Sequence, residues 1–253
     1  MKISFRILFI NFAIVAVILI SSAVAYYSVM YNVLTSQQSK YLLNSANDFI
    51  YSYREMMQNV DDDFAILAGN DPAEVFNQKV LLNKNIDFVL QQSPDPHGYI
   101  IRKLVKKNVY VSNQRFTIQE FLKNNPSAIV KTFKESNGQI YYYGKIISSD
   151  FINKVSEKIR ADVAVIWNGS PIIISNEEGN QKNFYLITEA YQNLSKKNTF
   201  DVHSQESSSA DLLTTIYRPA IGNGTNNQLD FIIFTTLDET LQLKSSLKNI
   251  LIV

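Results

Sequence analysis

The stretch that decides the fold is ADVAVIWNGSPIIIS, residues 161–175. In it, two apolar runs rich in β-branched residues flank the pair Asn168-Gly169. An Asn-Gly pair favours the type I′ turn, because both central residues of that turn need φ > 0. The sequence therefore predicts an antiparallel hairpin whose strands span residues 162–167 and 171–175.

Further strands are predicted on either side of this hairpin. Apolar runs separated by turn residues predict strands at Thr199–His203, Leu212–Tyr217 and Leu229–Thr236, with a polar link at Ser204–Ser209. A second Asn-Gly pair at residues 137–138 predicts another hairpin, between residues 129–133 and 140–143. Since antiparallel neighbours need only short turns, these segments predict a small antiparallel sheet that buries one face under helices.

Helices are predicted from apolar spacing and capping residues at Ser36–Ala68, Pro72–Gln92, Thr117–Asn124, Asp150–Arg160 and Glu239–Asn249. In the first of these helices, apolar residues recur at steps of three and four from Leu42 to Leu67. We expect this stripe to pack on its own domain, against the same helix of a second copy, or on both along different stretches. Phe184–Leu194 is a short helix or an irregular connection.

Composition excludes several classes of protein. With 253 residues, of which 46% are hydrophobic, the chain can bury a sizeable core. Lys and Arg number 24 against 23 Asp and Glu, so no global field attracts polyanions, and no nucleic-acid partner is expected. The absence of cysteine excludes disulfides and thiolate metal sites.

The N-terminal segment predicts a membrane anchor. Lys2 and Arg6 precede the apolar run Ile7–Tyr27, which is long enough to cross about 30 Å of hydrocarbon. By the positive-inside rule, the N-terminus is cytoplasmic and the body lies outside the plasma (inner) membrane. The competing interpretation is a cleaved signal peptide, because Ala23-Val24-Ala25 follows the A-x-A cleavage pattern. At the other end, Ile250–Val253 is interpreted as the start of a second, truncated transmembrane helix, the alternative being a helix end that packs on the body.

These features together resemble a known family. A long helix from a membrane span leads to the segment that begins at Gly144, and "TTIYRPAIGNG" (214–224) precedes "LDFIIFTTLDETL" (229–241). Over residues 144–250 this pattern resembles the extracytoplasmic Cache-type sensor domain of bacterial receptors, above all of sensor histidine kinases. The resemblance implies a PAS-like, five-stranded antiparallel sheet, a small-ligand pocket between sheet and loops, and a second membrane span that leads to a kinase.

The expected fold class is therefore α+β, with this five-stranded sheet, a long N-terminal membrane-proximal helix and a mostly helical subdomain. Four regions are expected: a cytoplasmic tip and transmembrane helix at 1–30, the long helix and helical subdomain at 31–143, the sensor sheet at 144–237, and the exit helix with the start of the second span at 238–253. The catalytic parts of a kinase are not in this chain, so we expect it to be an input region and not an enzyme.

Candidate ligand-binding residues near predicted strand ends are Trp167, Tyr217 and Arg218. The resemblance adds Tyr185 and Tyr191, which lie in the connection where the resembled family builds its pocket wall. A guanidinium can bind a carboxylate with two hydrogen bonds, so the expected small-molecule ligand includes carboxylates. The alternative is that these aromatic residues are core and that Arg218 pairs with Asp230 across the hairpin.

Metal, cofactor and catalytic sites are not expected. The two histidines, His97 and His203, have no acidic frame, whereas zinc needs three or four convergent ligands. Asp61-Asp62-Asp63 lies in a predicted helix, where successive residues point about 100° apart, so it is interpreted as a solvated face. No nucleophile elbow or glycine-rich phosphate loop is present.

The function expected from the sequence is sensing of a small ligand, relayed by displacement of the exit helix relative to the entry helix, in a receptor that pairs as a homodimer in the lipid bilayer. The alternative is an anchored or secreted protein without signalling, either a binding protein or a pilin-like surface structural protein.

Overall fold

The computed structural model describes residues 2–67, 82–95, 97–135, 138–177, 183–194, 203–206, 211–219 and 229–236. Its elements, in chain order, are α1 Lys2–Leu67, β1 Phe88–Gln92, β2 Ile100–Val105, α2 Ile118–Asn124, β3 Ala128–Lys134, β4 Ile140–Ile146, α3 Ser149–Ile159, β5 Asp162–Trp167, β6 Ser170–Ile174, α4 Phe184–Leu194, β7 His203–Glu206, β8 Asp211–Tyr217 and β9 Leu229–Thr236. The predicted exit helix and the apolar run 250–253 lie outside the described residues.

Helix α1 is one continuous helix of 66 residues, about 100 Å long at 1.5 Å per residue. Among the described residues it is the one helix long and apolar enough to cross a membrane, and its apolar window near the N-terminus is not buried within the chain. Farther along, the predicted apolar stripe is buried in the chain's own fold at Leu42, Ala46, Phe49, Tyr53, Val60 and Phe64. The stripe therefore packs on its own domain at these positions.

The first sheet, sheet 1, has four antiparallel strands in the order β2-β1-β4-β3. It corrects two predictions, a mostly helical subdomain before residue 144 and a helix that reaches Gln92. In the inner strand β1, Phe88, Val89 and Leu90 are all buried. An apolar run of this kind has no period that distinguishes a strand from a helix, and only its pairing with β2 and β4 decides the matter.

Helices cover both faces of sheet 1. On one face, Phe88 and Leu90 pack against Phe121 of α2. Helix α2 begins with the predicted capping box, since the Thr117 and Glu120 side chains each accept a hydrogen bond from the other's backbone N–H. On the opposite face, the far end of α1 packs on the sheet through apolar and aromatic side chains, which include Val60, Phe64, Val89 and Tyr143.

The second sheet, sheet 2, has five antiparallel strands in the order β6-β5-β9-β8-β7. This is the five-stranded antiparallel sheet expected from the sequence. Its edge strand β7, His203–Glu206, corrects the polar link predicted at Ser204–Ser209. The ladder between β7 and β8 is formed by backbone groups, so the pairing does not require an apolar side-chain pattern.

The Asn-Gly hairpin of residues 161–175 is confirmed. Asn168 and Gly169 have φ of 49° and 83°, so both central residues of the turn lie at positive φ. Trp167 pairs with Ser170 across the turn, and the helix before the hairpin, α3, begins after Ser148, whose side chain accepts a hydrogen bond from the Phe151 N–H. The local sequence rules held here because turn and cap are both set by nearest neighbours.

The two faces of sheet 2 belong to two different cores. The side chains that point to α1 and α3 include Val163, Val165, Leu213, Tyr217, Phe231 and Ile233. Those that point to α4 include Ala164, Ile166, Ile216, Ile232 and Phe234. Sheet 2 is therefore a middle layer between helices, and a candidate site residue acts on the α1 side or on the α4 side according to its position along the strand.

Candidate functional site

The five candidate residues do not share one pocket among the described residues. Trp167 and Tyr217 pack on the α1 side of sheet 2. Tyr191, on α4, packs on the opposite side and shares Asp230 with Arg218. The side chain of Tyr185 is 74% exposed at the start of α4.

Asp230 is the centre of a buried polar cluster on the α4 side. It is 1% exposed, and its Oδ2 accepts hydrogen bonds from the Tyr191 hydroxyl at 2.8 Å and from Arg218 Nε at 3.3 Å. Burial, followed by the hydrogen bond to Asp230, raises the pKa of Tyr191 to about 12. The other oxygen, Oδ1, is buried without a hydrogen-bond partner among the described residues. The pairing of Arg218 with Asp230, the alternative drawn from the sequence, is therefore confirmed.

The Asn-Gly hairpin also contributes to this cluster. A Cβ built on Gly169 would lie 3.7 Å from a ring carbon of Tyr191, so the turn passes directly beside the phenol ring. Because the turn fits a type I′ geometry, it brings backbone next to the ring without a bulky side chain. The hairpin thus helps to position the hydroxyl group that binds Asp230.

A cleft of about 530 Å³, here called the junction cleft, opens where α1, β3 and the end of β8 meet. It is lined by Tyr53, Arg54, Met57, Gln58, Asp61, Ile129, Val130, Lys131, Tyr217, Arg218 and Pro219. Its volume is within the range of small-molecule sites, about 300–1,000 Å³. The cleft includes two of the five candidate residues, Tyr217 and Arg218, and Arg218 connects it to the Asp230 cluster.

The floor of the junction cleft is aromatic. The Tyr53 and Tyr217 rings meet edge to face at 5.6 Å between centroids, and both contact Phe231. Burial, with a smaller contribution from Tyr217, raises the pKa of Tyr53 far above its usual range. Burial also raises the pKa of Tyr217, and the guanidinium of Arg54 opposes this through a hydrogen bond to the phenol. Both hydroxyls are therefore neutral donors at physiological pH.

Asp61 fixes the wall of the cleft that belongs to sheet 1. Its Oδ2 accepts from Lys131 Nζ at 3.1 Å and its Oδ1 accepts from the Tyr143 hydroxyl at 2.9 Å. Two residues farther along α1, Asp63 accepts from the side-chain amides of Asn83 and Asn85. The interpretation of the three aspartates as a purely solvated face is therefore corrected for Asp61 and Asp63, which bind groups of the sheet 1 region.

Sequence reasoning missed Arg54, Asp61 and Lys131 as site residues. They come from α1 and from β3, which are about 70 residues apart in the chain, and no local motif joins them. The charge of a lone arginine on a helix surface carries no signal of the cleft beside it. Among the described residues, no group of three or more His, Asp or Glu side chains could hold a metal ion.

The comparisons with known proteins show only remote similarity. No protein-family model matches the chain, and no curated protein matches it. The ligand-binding domain of the Campylobacter jejuni chemoreceptor Tlp3 in complex with L-valine is similar with a TM-score of 0.40 at 13% identity, over 85% of this chain and 97% of that one. The sensory domain of Tlp3 with isoleucine bound gives a TM-score of 0.42 at 12% identity, over 85% and 97%. The ligand-binding domain of the Pseudomonas aeruginosa amino acid chemoreceptor PctB in complex with L-Arg gives 0.41 at 7% identity, over 79% and 90%. At such scores, function has to be inferred from this chain's own residues.

Proposed function

We propose that this chain is the extracytoplasmic signal-sensing region of a membrane receptor, which binds a small molecule and relays binding through its helices. One observation carries the proposal: α1 is continuous from an apolar N-terminal segment, long enough to cross a membrane, to the cores of both sheets. A ligand in the junction cleft would contact α1 directly, because Arg54, Met57 and Asp61 line it.

The proposed mechanism is a shift between two arrangements of the sheets around α1. A ligand can shift such an equilibrium only if it binds one arrangement more tightly than the other. The junction cleft meets this condition, since its walls come from α1, from β3 of sheet 1 and from the end of β8 in sheet 2. A change in the angle between the sheets would alter all three walls at once. The relay proposed from it is a displacement, relative to α1, of the exit helix that the sequence predicts at Glu239–Asn249.

The finer parts of the proposal follow the Cache-type resemblance. The body is periplasmic and the anchor lies in the inner membrane, the ligand is a carboxylate, and two copies pair through their membrane-proximal helices. The output region is a sensor histidine kinase that lies outside this sequence. This chain itself binds and does not catalyse.

The side of the membrane on which the body lies can be tested by cysteine labelling, because the natural chain has no cysteine. Tyr51 is 69% exposed on α1, so Tyr51→Cys provides one accessible thiol. We expect a membrane-impermeant maleimide to label this thiol in intact spheroplasts. Labelling only after lysis would contradict a periplasmic body.

The relay can be tested by distance measurements between spin labels on the full chain in lipid nanodiscs. Labels at Tyr51→Cys and Ile101→Cys report on α1 and sheet 1, and the pair Tyr51→Cys and Tyr185→Cys reports on α1 and sheet 2, all at exposed positions. The panel of probes consists of the twenty amino acids and the straight-chain mono- and dicarboxylic acids of up to six carbons. We expect at least one probe to raise the melting temperature and to change the first distance. A panel without any effect, or binding without a distance change, would contradict the proposal.

A further inference from the structure

The charge of the junction cleft is strongly one-sided. Three cationic side chains line it, Arg54, Lys131 and Arg218, against one carboxylate, Asp61. Lys131 pairs with Asp61, and Arg218 pairs through Nε with Asp230, which lies outside the cleft lining. Among the described residues, Arg54 forms no ion pair. Its guanidinium is exposed at the cleft beside the Tyr217 hydroxyl.

Apart from Gln58, the rest of the lining is apolar or aromatic. Met57, Ile129, Val130 and Pro219 form the wall around the aromatic floor of Tyr53 and Tyr217. A site with an apolar interior and a few polar groups at its margin fits a ligand with an apolar body and one charged end.

We infer that the junction cleft binds a small organic anion, whose acid group lies between Arg54 on α1 and Lys131 on β3 and whose apolar body rests on Tyr53 and Tyr217. The inference rests on the proposed function, in which a small carboxylate binds in the junction cleft. It adds the position of the acid group within the cleft and two residues, Arg54 and Lys131, that bind this group.

The sign of the ligand's charge follows from the partners of Asp61. Both of its oxygens accept a hydrogen bond, from Lys131 and from Tyr143, and its charge is already paired with that of Lys131. An anion instead gains Arg54 directly and competes with Asp61 for Lys131. Because Lys131 belongs to sheet 1 and Arg54 to α1, one acid group would bridge the two parts of the molecule.

Binding can be tested with 3-phenylpropionate and its neutral analogue 3-phenylpropionamide, by isothermal titration calorimetry on the full chain in lipid nanodiscs. We expect the acid to bind and the amide to bind at least about tenfold more weakly, since a hydrogen bond between charged groups is lost. We also expect the affinity for the acid to fall with added salt. Absence of binding by the acid, or equal binding of acid and amide, would overturn the inference.

Substitutions of Arg54 and Lys131 test whether the anion binds in the junction cleft. Arg54→Gln and Lys131→Gln should each weaken binding of 3-phenylpropionate about tenfold. Lys134→Gln is the matched control, because Lys134 is exposed on the same strand β3 and does not line the cleft. Arg54 is exposed and forms no ion pair among the described residues, so Arg54→Gln should leave the circular dichroism spectrum unchanged. Equal losses in the Lys134→Gln control, or unchanged affinity in Arg54→Gln, would overturn the assignment of this site.

The outcome for the site and the outcome for the proposed function can be told apart. Binding that depends on Arg54, without any change in the distance between labels at residues 51 and 101, would support the site and contradict the relay. A distance change caused by a probe whose affinity is the same in Arg54→Gln would support the relay and overturn the site.

Discussion

Sheet 1 and sheet 2 rest on the same helix, but they are attached to it differently. To the core beneath sheet 2, α1 contributes six buried side chains, which are Leu42, Ala46, Phe49, Ile50, Tyr53 and Met57. To the core beneath sheet 1 it contributes two, Val60 and Phe64. Sheet 1 is further attached by Ile129, which packs on the edge of the other core, and by hydrogen bonds to Asp61. Asp63 binds Asn83 and Asn85 in the segment that leads into β1.

The two sheet regions also differ in charge. Residues 82–146 contain ten lysines and arginines against four acids, whereas residues 162–236 contain four against eight. These opposite charges nearly cancel in the net charge of the whole chain, which is +1. Apolar burial is lost steeply when surfaces separate, while hydrogen bonds to partly exposed carboxylates can exchange with water at small net cost. We therefore expect sheet 2 to be fixed to α1 and sheet 1 to be the part that changes its orientation.

The largest effect on stability is expected from Phe49→Ala, which weakens the packing of sheet 2 on α1. Phe49 is fully buried and contacts Tyr53, Tyr217 and Phe231. Removal of its ring should cost about 3–5 kcal/mol. In hydrogen exchange measured by mass spectrometry, β8 and β9 should lose protection. Loss of protection confined to sheet 1 would contradict the comparison.

The next largest effect on stability is expected from Gly144→Ala, which disturbs sheet 1 and leaves sheet 2 intact. A Cβ on Gly144 would lie 1.9 Å from the carbonyl oxygen of Ile129 in the neighbouring strand, so the backbone itself must move. We expect a cost of about 3 kcal/mol, seen as lost protection of β3 and β4 with β8 and β9 unchanged. Gly138→Ala is the control, because no atom lies within 4 Å of its Cβ position and only the strain of its positive φ remains. Equal loss in both sheets would show that they unfold as one unit.

A smaller effect is expected from Asp63→Ala, which removes the acceptor for the amides of Asn83 and Asn85. The expected cost is about 1–2 kcal/mol, confined to sheet 1 and the residues before β1. Its neighbour Asp62 is exposed, so Asp62→Ala should change stability by about 0.5 kcal/mol or less. If the two variants behave alike in hydrogen exchange, the polar attachment of sheet 1 is not supported.

The smallest effect is expected from the pH dependence of the Asp230 cluster in sheet 2. Tyr191 has its pKa raised to about 12, above the value near 10 of an unfolded tyrosine, so the folded state holds this proton more tightly. Its contribution to stability is complete below pH 10 and is lost as the pH rises toward 12. Because the phenol is partly screened by solvent, we expect less than about 1 kcal/mol.

Tyr191→Phe tests this pH dependence. It should reduce the loss of stability between pH 10 and 12, measured by urea unfolding, without abolishing it, because other buried phenols such as Tyr53 and Tyr143 titrate in the same direction. An unchanged pH profile in this variant would contradict the role assigned to the hydroxyl.

Sequence reasoning succeeded more fully in sheet 2 than in sheet 1, where it predicted the β3–β4 hairpin and the capping box of α2 but missed strand β1. In sheet 2, the Asn168-Gly169 turn and the cap at Ser148 are set by neighbouring residues, and these local signals were confirmed. In sheet 1, β1 is an inner strand buried on both faces, and its apolar run has no alternation to distinguish it from a helix. Its identity depends on β2 and β4, which follow later in the chain.

The residues of the candidate site also fall into two groups, those that the sequence identified and those that only the packing of the chain brings together. The sequence identified Trp167, Tyr217 and Arg218 at strand ends and offered Asp230 as the partner of Arg218, which the ion pair confirms. It did not identify the junction cleft, whose Arg54 and Lys131 are brought together only by the packing of α1 on β3.

By itself, the sequence determined the apolar N-terminal segment, the long helix with its buried stripe, the Asn-Gly hairpin and the five-stranded antiparallel sheet, because turn geometry, caps and periodicity act over a few residues. Only the tertiary structure decided that sheet 1 forms before the Asn168-Gly169 hairpin. It also decided which face of sheet 2 each candidate residue occupies, and that a cleft lined by cationic side chains lies between the sheets. These features depend on contacts between segments that are far apart in the chain, such as those of Asp61 with Lys131 and of Phe49 with Phe231, and no local pattern encodes them.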